Sequence, residues 1–491
     1  MTGYNKRHVG LTAIALAVLS TASCAPQAPP SNRAESVSGI GSDPVELFDG
    51  RVIPAMPELL GIRDQYELRL DWLEQKRAML LDMMREHEIE MWIVVSEEFH
   101  PDPVTQYVAP PLHYTRRRDV MVFVDAGEEG LASYSDYWRP TADYRRFFQP
   151  LPASRNARNI QDTRAGLLTL WERYEPATIG LNMGGARGHD STITHDSYKF
   201  LVETMGREAE SRFVSAAGLI EDVFDTRLAS ELEPYRSLVL ATDVIAQTAL
   251  SNEVITPGVT RAVDIKWFFE ESVAELGVGG KPWFEIHVAV QRFDPETGTM
   301  IPYVHPAPDD LIFQRGDIIH LDCGFDYLGF ASDWQKVAYI LREGERTVPQ
   351  GLRTALSNAN LVHEAFASES RPGMTGWEAT LAIARKLEGV DFLPSLYSHA
   401  IGYHGHALGP SINARDMDLS SPTYGYSGST SPEGDSYLRD GAYRSIEFSA
   451  TTAVPEYDGG TVTIPMEDDG YLTTNGYIYF RPYQTEWYVI R

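Results

Sequence analysis

Cysteine is almost absent from this chain, which has two in 491 residues, Cys24 and Cys323. Cys24 follows an apolar N-terminal run, so processing would leave one internal cysteine, and a single cysteine cannot form an intramolecular disulfide. The stability of the folded part must therefore come from a hydrophobic core, for which 43% hydrophobic residues are sufficient. We interpret Cys323 as a small buried residue on the strand face opposite its neighbour Asp322.

Basic residues are scarce relative to acidic ones. The chain has 42 Lys and Arg against 69 Asp and Glu, and its formal net charge is −27. Nucleic acid and anionic membrane surfaces repel such a chain, so neither is expected as a partner. A glycine-rich phosphate loop and short-period repeats are also absent from the sequence.

Long apolar runs are limited to residues 9–19, which follow a basic start at residues 6–8. A basic start and a short apolar run predict a signal peptide over residues 1–24. Residues 25–44 are rich in Pro, Ser, Ala and Gly, which predicts a disordered tether.

The residues around Cys24 bear on where the protein resides. Small residues before Cys24 are similar to a bacterial lipoprotein cleavage site, although Thr21 stands where leucine is usual. The alternative is an ordinary secretory signal that is cut near Ala22 or Ala25. We expect an exported, periplasmic protein that is held at a membrane by a lipid anchor on Cys24.

The remaining chain divides into two predicted domains. Over residues 45–226, helix-periodic stretches alternate with short apolar runs such as MWIVV and DVMVFVD, which indicates an α/β domain. Over residues 227–491, long amphipathic helices are interleaved with strand pairs, and Thr375 and Glu378 form a capping box at one helix start. Residues 415–440 are rich in Ser, Gly, Tyr and Asp, and loops this long are usually functional or disordered.

The stretch HLDCGFDYLGFASD, residues 320–333, places Asp322 and Asp333 on either side of a turn. Apolar runs flank it, which predicts a β-hairpin. With Tyr327 and Leu328 as a two-residue loop, Asp322 would pair directly with Asp333, with Cβ atoms roughly 5 Å apart, whereas a glycine bulge would shift this register by one. Facing carboxylates are destabilising unless a cation lies between them, so the alternatives are a solvated, turn-capping pair and a divalent metal site.

Three further stretches supply groups of ligand type. His399 and His406 lie in SHAIGYHGH, Glu447 in YRSIEFS, and Glu467 in TVTIPMEDDGYLT. Four carboxylates and one imidazole would balance two divalent cations, and a hydroxide that bridges such a pair is a strong nucleophile at neutral pH. Each residue alone has an ordinary alternative, because a histidine beside glycines is often structural and a glutamate at a strand end is often only solvated.

The ordered set resembles that of the pita-bread metallopeptidases, which include Xaa-Pro aminopeptidase, prolidase, methionine aminopeptidase and the metal-free creatinase. In that family the ligands run Asp, Asp, His, Glu, Glu, with ten residues between the aspartates, as here. The resemblance covers roughly residues 229–491, and more faintly the domain before it. It implies an α/β creatinase-like N-terminal domain over residues 45–226 and an α+β pita-bread catalytic domain over residues 227–491.

The resemblance also implies a role for each ligand. Asp322 would hold one metal, His399 and Glu447 the other, and Asp333 and Glu467 would bridge both. The cofactors would be two divalent ions, either Mn, Co, Zn or Fe, with manganese favoured.

Two histidines and one glutamate are implied as catalytic residues. His406 matches a family histidine that contacts the substrate carbonyl, and His305, in YVHPAPDD, matches another active-site histidine. From the residues alone, His305 is equally well a loop histidine beside prolines. Glu447 would carry the proton to the leaving amine.

The implied function is an exported dinuclear-metal aminopeptidase of Xaa-Pro type, which hydrolyses the N-terminal amide bond of peptides through a metal-bridging hydroxide. The alternatives are a metal-free hydrolase of creatinase type and a non-enzymatic binding protein with residues 415–440 as its contact surface. Family members often associate, so a homodimer or higher oligomer is expected.

Several positions depart from the family pattern without removing a ligand. Ala400 stands where glycine is usual, Phe448 and Ser449 replace Pro-Gly, Pro465 replaces an arginine of prolyl-specific members, and Lys336 replaces an arginine. Lysine cannot make the planar two-point contact of arginine. These departures bear on the prolyl preference and on recognition of a substrate carboxylate.

Overall fold

The computed structural model describes most of the chain after the predicted tether, namely residues 44–111, 113–152, 160–185, 187–294, 299–414, 436–457 and 460–491. The predicted signal peptide and nearly all of the tether lie outside the described residues, as does most of the stretch 415–440, so these remain predictions. Among the described residues, no helix has both the length and the hydropathy that crossing a membrane requires.

The described residues form ten α-helices, and the longest of them lie in stretches with helical periodicity. The amphipathic sequence of residues 229–255 predicts one long helix, but the observed helix is shorter, because a 3₁₀ turn occupies Ala229–Glu231 and the α-helix ends at Ala249. The α-helices are α1 (Ile62–Glu86), α2 (Thr105–Val108), α3 (Ala142–Phe147), α4 (Ile160–Tyr174), α5 (His195–Glu210), α6 (Ala217–Asp225), α7 (Leu232–Ala249), α8 (Ala262–Glu275), α9 (Gln350–Glu369) and α10 (Gly376–Lys386).

The predicted capping box is confirmed at the start of α10. The Thr375 hydroxyl accepts from the backbone N–H of Glu378 at 3.1 Å, and the Glu378 carboxylate accepts from the backbone N–H of Thr375 at 2.9 Å. Two N–H groups that have no partner inside the helix are thereby satisfied.

The strands of the described residues form two large sheets and two short two-stranded pairs. They are β1 (Val45–Glu46), β2 (Val52–Ile53), β3 (Met91–Glu97), β4 (Arg118–Asp125), β5 (Leu131–Ser135), β6 (Gln149–Pro150), β7 (Ile179–Leu181), β8 (Phe213–Ser215), β9 (His287–Asp294), β10 (Thr299–Val304), β11 (Ile318–Cys323), β12 (Asp326–Tyr327), β13 (Phe330–Ala331), β14 (Trp334–Ile340), β15 (Leu393–Ala400), β16 (Ile412–Ala414), β17 (Tyr443–Ala453), β18 (Thr461–Thr473), β19 (Gly476–Tyr479) and β20 (Tyr488–Ile490).

The N-terminal sheet has six strands in the order β6-β5-β4-β3-β7-β8, with both parallel and antiparallel neighbours. Its central strand β3 is buried on both faces. One face packs on α4 and α5, and the other packs on α1 and α6. Helices on both faces of a sheet are typical of an α/β domain, as the alternating pattern predicted.

The C-terminal sheet has ten strands. Eight follow the order β10-β9-β11-β14-β18-β17-β15-β16, while β19 pairs with β18 and β20 with β14. Helices α7 and α8 contact β9, β11 and β14, and helices α9 and α10 contact β16, β17, β18 and β19. Every residue that the sequence singled out for metal binding lies in a strand of this sheet or directly next to one.

The hairpin between β11 and β14 forms, but its predicted register is wrong by two residues. Asp322 pairs with Gln335 rather than with Asp333. The two-residue loop consists of Leu328 and Gly329, which have φ angles of 59° and 83° and so take the left-handed conformations of a tight hairpin turn. Because side chains alternate with a period of two, a shift of two keeps Asp333 on the face of Asp322. Cys323 is buried in the core on the other face, as predicted.

Lys336 lies one position after Gln335, and its side chain is buried on the far side of the strand. It is 1% exposed, and its ammonium lies 2.6 Å from Asp468 Oδ1. It also donates to the main-chain oxygen of Glu467 at 3.1 Å. The second oxygen of Asp468 lies 3.2 Å from Nε2 of His363, on α9. The departure from arginine at this position therefore affects a buried ion pair and not a contact to substrate.

Replacing Lys336 by methionine should destabilise the protein by about 3–5 kcal/mol, because Asp468 would keep a buried charge without its ammonium partner. The lower urea midpoint would be followed by circular dichroism. The matched control is Lys266→Met, whose partners Glu285 and Asp309 are largely exposed and whose loss should cost less than about 1 kcal/mol. Equal shifts in the two variants would contradict the buried ion pair.

Candidate metal centre

A single row of side chains crosses the C-terminal sheet and forms the framework of the site. Paired positions on adjacent strands point to the same face. The pairs are His287 with Asp322, Asp322 with Gln335, Gln335 with Glu467, Glu467 with Glu447, and Glu447 with Tyr397. Residues far apart in the chain therefore stand side by side because of strand register.

Asp333 and His399 join this row from positions two residues away on their own segments. Asp333 precedes β14, and His399 lies near the end of β15. One ligand atom from each of Asp322, Asp333 and Glu467 lies within 4.8 Å of the other two. The same holds for the group of His399, Glu447 and Glu467. The structure thus brings all five predicted ligands together, with Glu467 in both groups; their roles as ligands remain a prediction.

The acidic groups of the site are buried or nearly so, and histidines are the only basic side chains paired with Asp322, Asp333 and Glu467 in the described ranges. Within the described residues, no lysine or arginine forms an ion pair with Asp322, Asp333 or Glu467. Burial raises the pKa of Asp333 well above its usual value, and the charge of Glu467 acts in the same direction. Burial, followed by the charge of Asp322, raises the pKa of Glu467 to about 8. Clustered carboxylates of this kind favour the binding of either protons or metal cations.

His399 presents an unprotonated nitrogen to these acids. Its Nδ1 donates to the main-chain oxygen of Ala400 at 2.9 Å, which leaves Nε2 as the nitrogen with the lone pair. Burial lowers the pKa of His399 to about 3, and the charges of Arg444 and Arg187 also lower it. Nε2 lies 3.5 Å from Glu467 Oε1 and 3.6 Å from Asp333 Oδ2. It makes no hydrogen bond within the described part of the chain.

These features fit a divalent metal centre. Oδ1 of Asp322 and Nε2 of His399 are buried polar atoms that find no hydrogen-bond partner among the described residues. Such atoms are costly to bury unless something binds them. A neutral imidazole and clustered carboxylates form a donor set that suits Mn, Co, Zn or Fe.

Groups around the ligands hold Glu467 in place, and sequence reasoning missed them. Gln335 donates to Glu467 Oε2 at 2.8 Å, and the Ser445 hydroxyl donates to Oε1. His320 in turn donates from Nε2 to Oε1 of Gln335 at 2.8 Å. The signal for Gln335 was its position two residues after Asp333, which puts it on the same face once the strand is recognised.

His406 lies beside the predicted ligands in the loop after β15. One of its ring nitrogens is within 4.8 Å of ligand atoms of Asp333 and His399. The ring of Trp283 lies 5.4 Å from that of His406. A Cβ atom at Gly405 would lie 2.1 Å from Cζ2 of Trp283, so only glycine lets this indole lie against the loop.

His305 lies at the other end of the row, and it stands next to a histidine that sequence reasoning missed. The rings of His305 and His287 are 5.2 Å apart, and Nδ1 of His287 lies 3.6 Å from Asp322 Oδ2. His287 opens strand β9 and is the register partner of Asp322, which no motif in the sequence reveals.

A loop of the N-terminal α/β part also reaches this region. The ring of His189 stacks on that of His404 at 4.2 Å, two residues before His406. Burial lowers the pKa of His406, as it does that of His399, and the nearby charge of Arg187 lowers both further. The N-terminal part thus borders the same site face.

Residues 236–473 match metallopeptidase family M24. These residues form an M24 metallopeptidase domain. All five predicted ligands and both predicted catalytic histidines lie inside it. A comparison with curated proteins finds no significant match.

Solved structures with the same fold extend over most of this chain. The X-Pro aminopeptidase from Thermotoga maritima MSB8 is 16% identical with a TM-score of 0.57, covering 83% of this chain and 99% of that one. The Xaa-Pro dipeptidase from Bacillus anthracis is 17% identical with a TM-score of 0.56, covering 86% and 100%. The prolidase from Pyrococcus horikoshii OT3 is 16% identical with a TM-score of 0.52, covering 83% and 97%. At these identities the likeness shows the fold, and it confirms the predicted α/β domain followed by a pita-bread domain.

Metal uptake should release protons and weaken as the pH falls. With a pKa of about 8, Glu467 is mostly protonated at pH 7 in the metal-free protein, and a metal must displace that proton. The same raised pKa makes the metal-free fold bind more protons than the unfolded chain. The stability of the metal-free protein should therefore decrease as the pH rises from about 5 to about 8. Calorimetric Mn(II) titrations at pH 7, in two buffers of different ionisation enthalpy, should give at least about one proton released per chain. Binding without proton release would contradict the raised pKa.

Proposed function

We propose that this protein is a dinuclear-metal aminopeptidase that removes the N-terminal residue of peptides, with Xaa-Pro bonds as its preferred substrates. The observation that carries the proposal is the convergence of Asp322, Asp333, His399, Glu447 and Glu467 on one face of an M24 domain. The similar solved structures named as Xaa-Pro peptidases support the substrate class.

Bound divalent cations would lower the pKa of a water and polarise the scissile carbonyl. The residues of the chain itself orient and move protons. Glu447 faces Glu467 across the two strands and takes the proton that is delivered to the leaving amine. His406 lies on the loop side of the site and donates to the carbonyl oxygen as negative charge develops there.

Aromatic side chains beside the site suit an apolar or prolyl residue. The rings of Trp283 and Phe284 are 4.4 Å apart, and Phe284 lies 5.7 Å from the ring of His287. Trp283 is fixed by its indole N–H, which donates to the main-chain oxygen of Ser332 at 2.7 Å. Pro465 precedes Glu467 by two residues on the same strand and adds no cation there.

The assay uses purified protein loaded with Mn(II), Co(II) or Zn(II) and the peptides Ala-Pro, Ala-Pro-Ala and Ala-Ala-Ala. We expect release of N-terminal alanine, fastest from the prolyl peptides. Asp333→Asn should lower kcat/KM at least about 100-fold, since outer-shell partners alone cost 10–100-fold. Glu343→Gln, which removes an exposed carboxylate away from the ligand set, should match wild type.

The outcomes separate the competing functions. No hydrolysis with any metal, together with stoichiometric metal binding, would favour a binding protein. Full activity after exhaustive chelation would favour a metal-free hydrolase of creatinase type. Cleavage of Ala-Ala-Ala at the rate of Ala-Pro-Ala would remove the prolyl preference but not the peptidase.

We also propose that the protein is exported and anchored through Cys24, on the basis of residues 1–24 and their likeness to a lipoprotein signal. Radiolabelled palmitate should label the full chain in a bacterial host, and Cys24→Ala should abolish the label. A label that persists in this variant would contradict the anchor. The expected homodimer or higher oligomer is tested by light scattering, where the mass of one chain would contradict it.

A further inference from the structure

A second group of potential ligands lies at the β9 end of the row, outside the five-ligand set except for Asp322. One donor atom from each of His287, His305 and Asp322 lies within 4.8 Å of the other two. His287 is fixed by register, because it pairs with Asp322 across β9 and β11. His305 reaches the same place from the segment after β10.

The two oxygens of Asp322 allow it to serve both groups. Oδ1 is buried and finds no hydrogen-bond partner within the described ranges. Oδ2 lies 3.6 Å from Nδ1 of His287, a distance too long for a good hydrogen bond. Asp322 therefore directs Oδ2 toward the two histidines, while its Oδ1 remains available to bind a cation of the five-ligand set.

The donor set has the chemistry of a transition-metal site. Two imidazoles and one carboxylate bind Zn, Mn, Fe or Co, and leave coordination positions for water. Metal–nitrogen bonds of about 2.1 Å place two donors at most about 4.2 Å apart. The side chain of His305 is exposed, so the site is open to ions from solvent.

We propose that His287, His305 and Asp322 form a third divalent-cation site that adjoins the dinuclear centre and shares Asp322 with it. This site is weaker than the dinuclear centre, because it has one carboxylate instead of four and is more exposed to solvent, with His287 of intermediate burial and His305 exposed. Ions therefore fill the dinuclear centre first and the third site afterwards. The proposal rests on metal binding by the five-ligand set but does not require peptide hydrolysis.

The alternative role for His287 is that of a positioning residue, which would hold Asp322 by an ion pair alone. The two roles differ in stoichiometry. An ion pair leaves the number of bound ions at two, whereas the third site raises it to three. His305 distinguishes them too, since an ion pair between His287 and Asp322 does not need it.

The experiment titrates the full chain with Co(II), using equilibrium dialysis with elemental analysis and the visible absorption of bound cobalt. Wild type should bind two ions tightly and a third more weakly. His287→Gln and His305→Gln should each lose the third ion and its absorption while keeping the two tight ions. His195→Gln removes an exposed histidine at the start of α5 and should still bind three.

Saturation of wild type at two ions would overturn the third site while leaving the proposed peptidase intact. A third ion that persists in both histidine variants would overturn it as well. If His287→Gln fails to fold, the exposed His305→Gln decides the question alone. Absence of any bound ion would overturn both the third site and the dinuclear centre. Saturation at two ions would overturn the third site alone, so the two failures can be told apart.

Discussion

The repulsion between buried carboxylates is the constraint on which the rest of this structure depends. Asp322, Asp333 and Glu467 lie within 4.8 Å of one another, and no lysine or arginine among the described residues pairs with them. Folding alone cannot relieve this repulsion, because the hydrophobic core that holds the strands also removes the water that would screen the charges. Protons would relieve it at lower pH, and bound divalent cations would relieve it at neutral pH. Folding and metal binding would therefore be coupled, because the sheet brings the carboxylates together and bound cations would offset their repulsion.

Much of the site could be predicted from the sequence, because the ligands carry local signatures. The two aspartates flank a recognisable hairpin, and the two glutamates lie in β-branched runs. The predicted register was wrong by two residues, yet the face was right because strand side chains repeat every two positions. Glu447 and Glu467 were expected at strand ends and in fact lie within long strands. The types of residue in a segment indicate a strand. The first and last residues of that strand depend on hydrogen bonding to neighbouring strands, which the sequence alone does not give.

The residues that sequence reasoning missed are those whose function comes from register alone. His287, Gln335 and Ser445 belong to no motif, and each acts through a partner on another strand or segment. Lys336 shows the opposite case, since a family comparison drew attention to it as a substrate contact. Lys336 follows Gln335 by one position on β14, so its side chain points to the opposite face of the sheet. There it is buried in the core and pairs with Asp468. Both errors have the same origin, which is that a linear pattern does not say which groups meet across a sheet.

The last described strand gives the site an unexpected dependence on the end of the chain. Strand β20 runs parallel to β14, pairing Tyr488 with Ala338 and Ile490 with Ile340. Strand β14 follows Asp333 and carries Gln335, and its second edge is shared, since β18 pairs with it at Gln335 and β20 pairs with residues 338–340. A growing polypeptide lacks that edge partner until the ribosome has made nearly all of these residues. A truncation that removes residues 488–490 would leave this edge of residues 338–340 without a partner, a few positions along the same strand from Gln335, which holds Glu467.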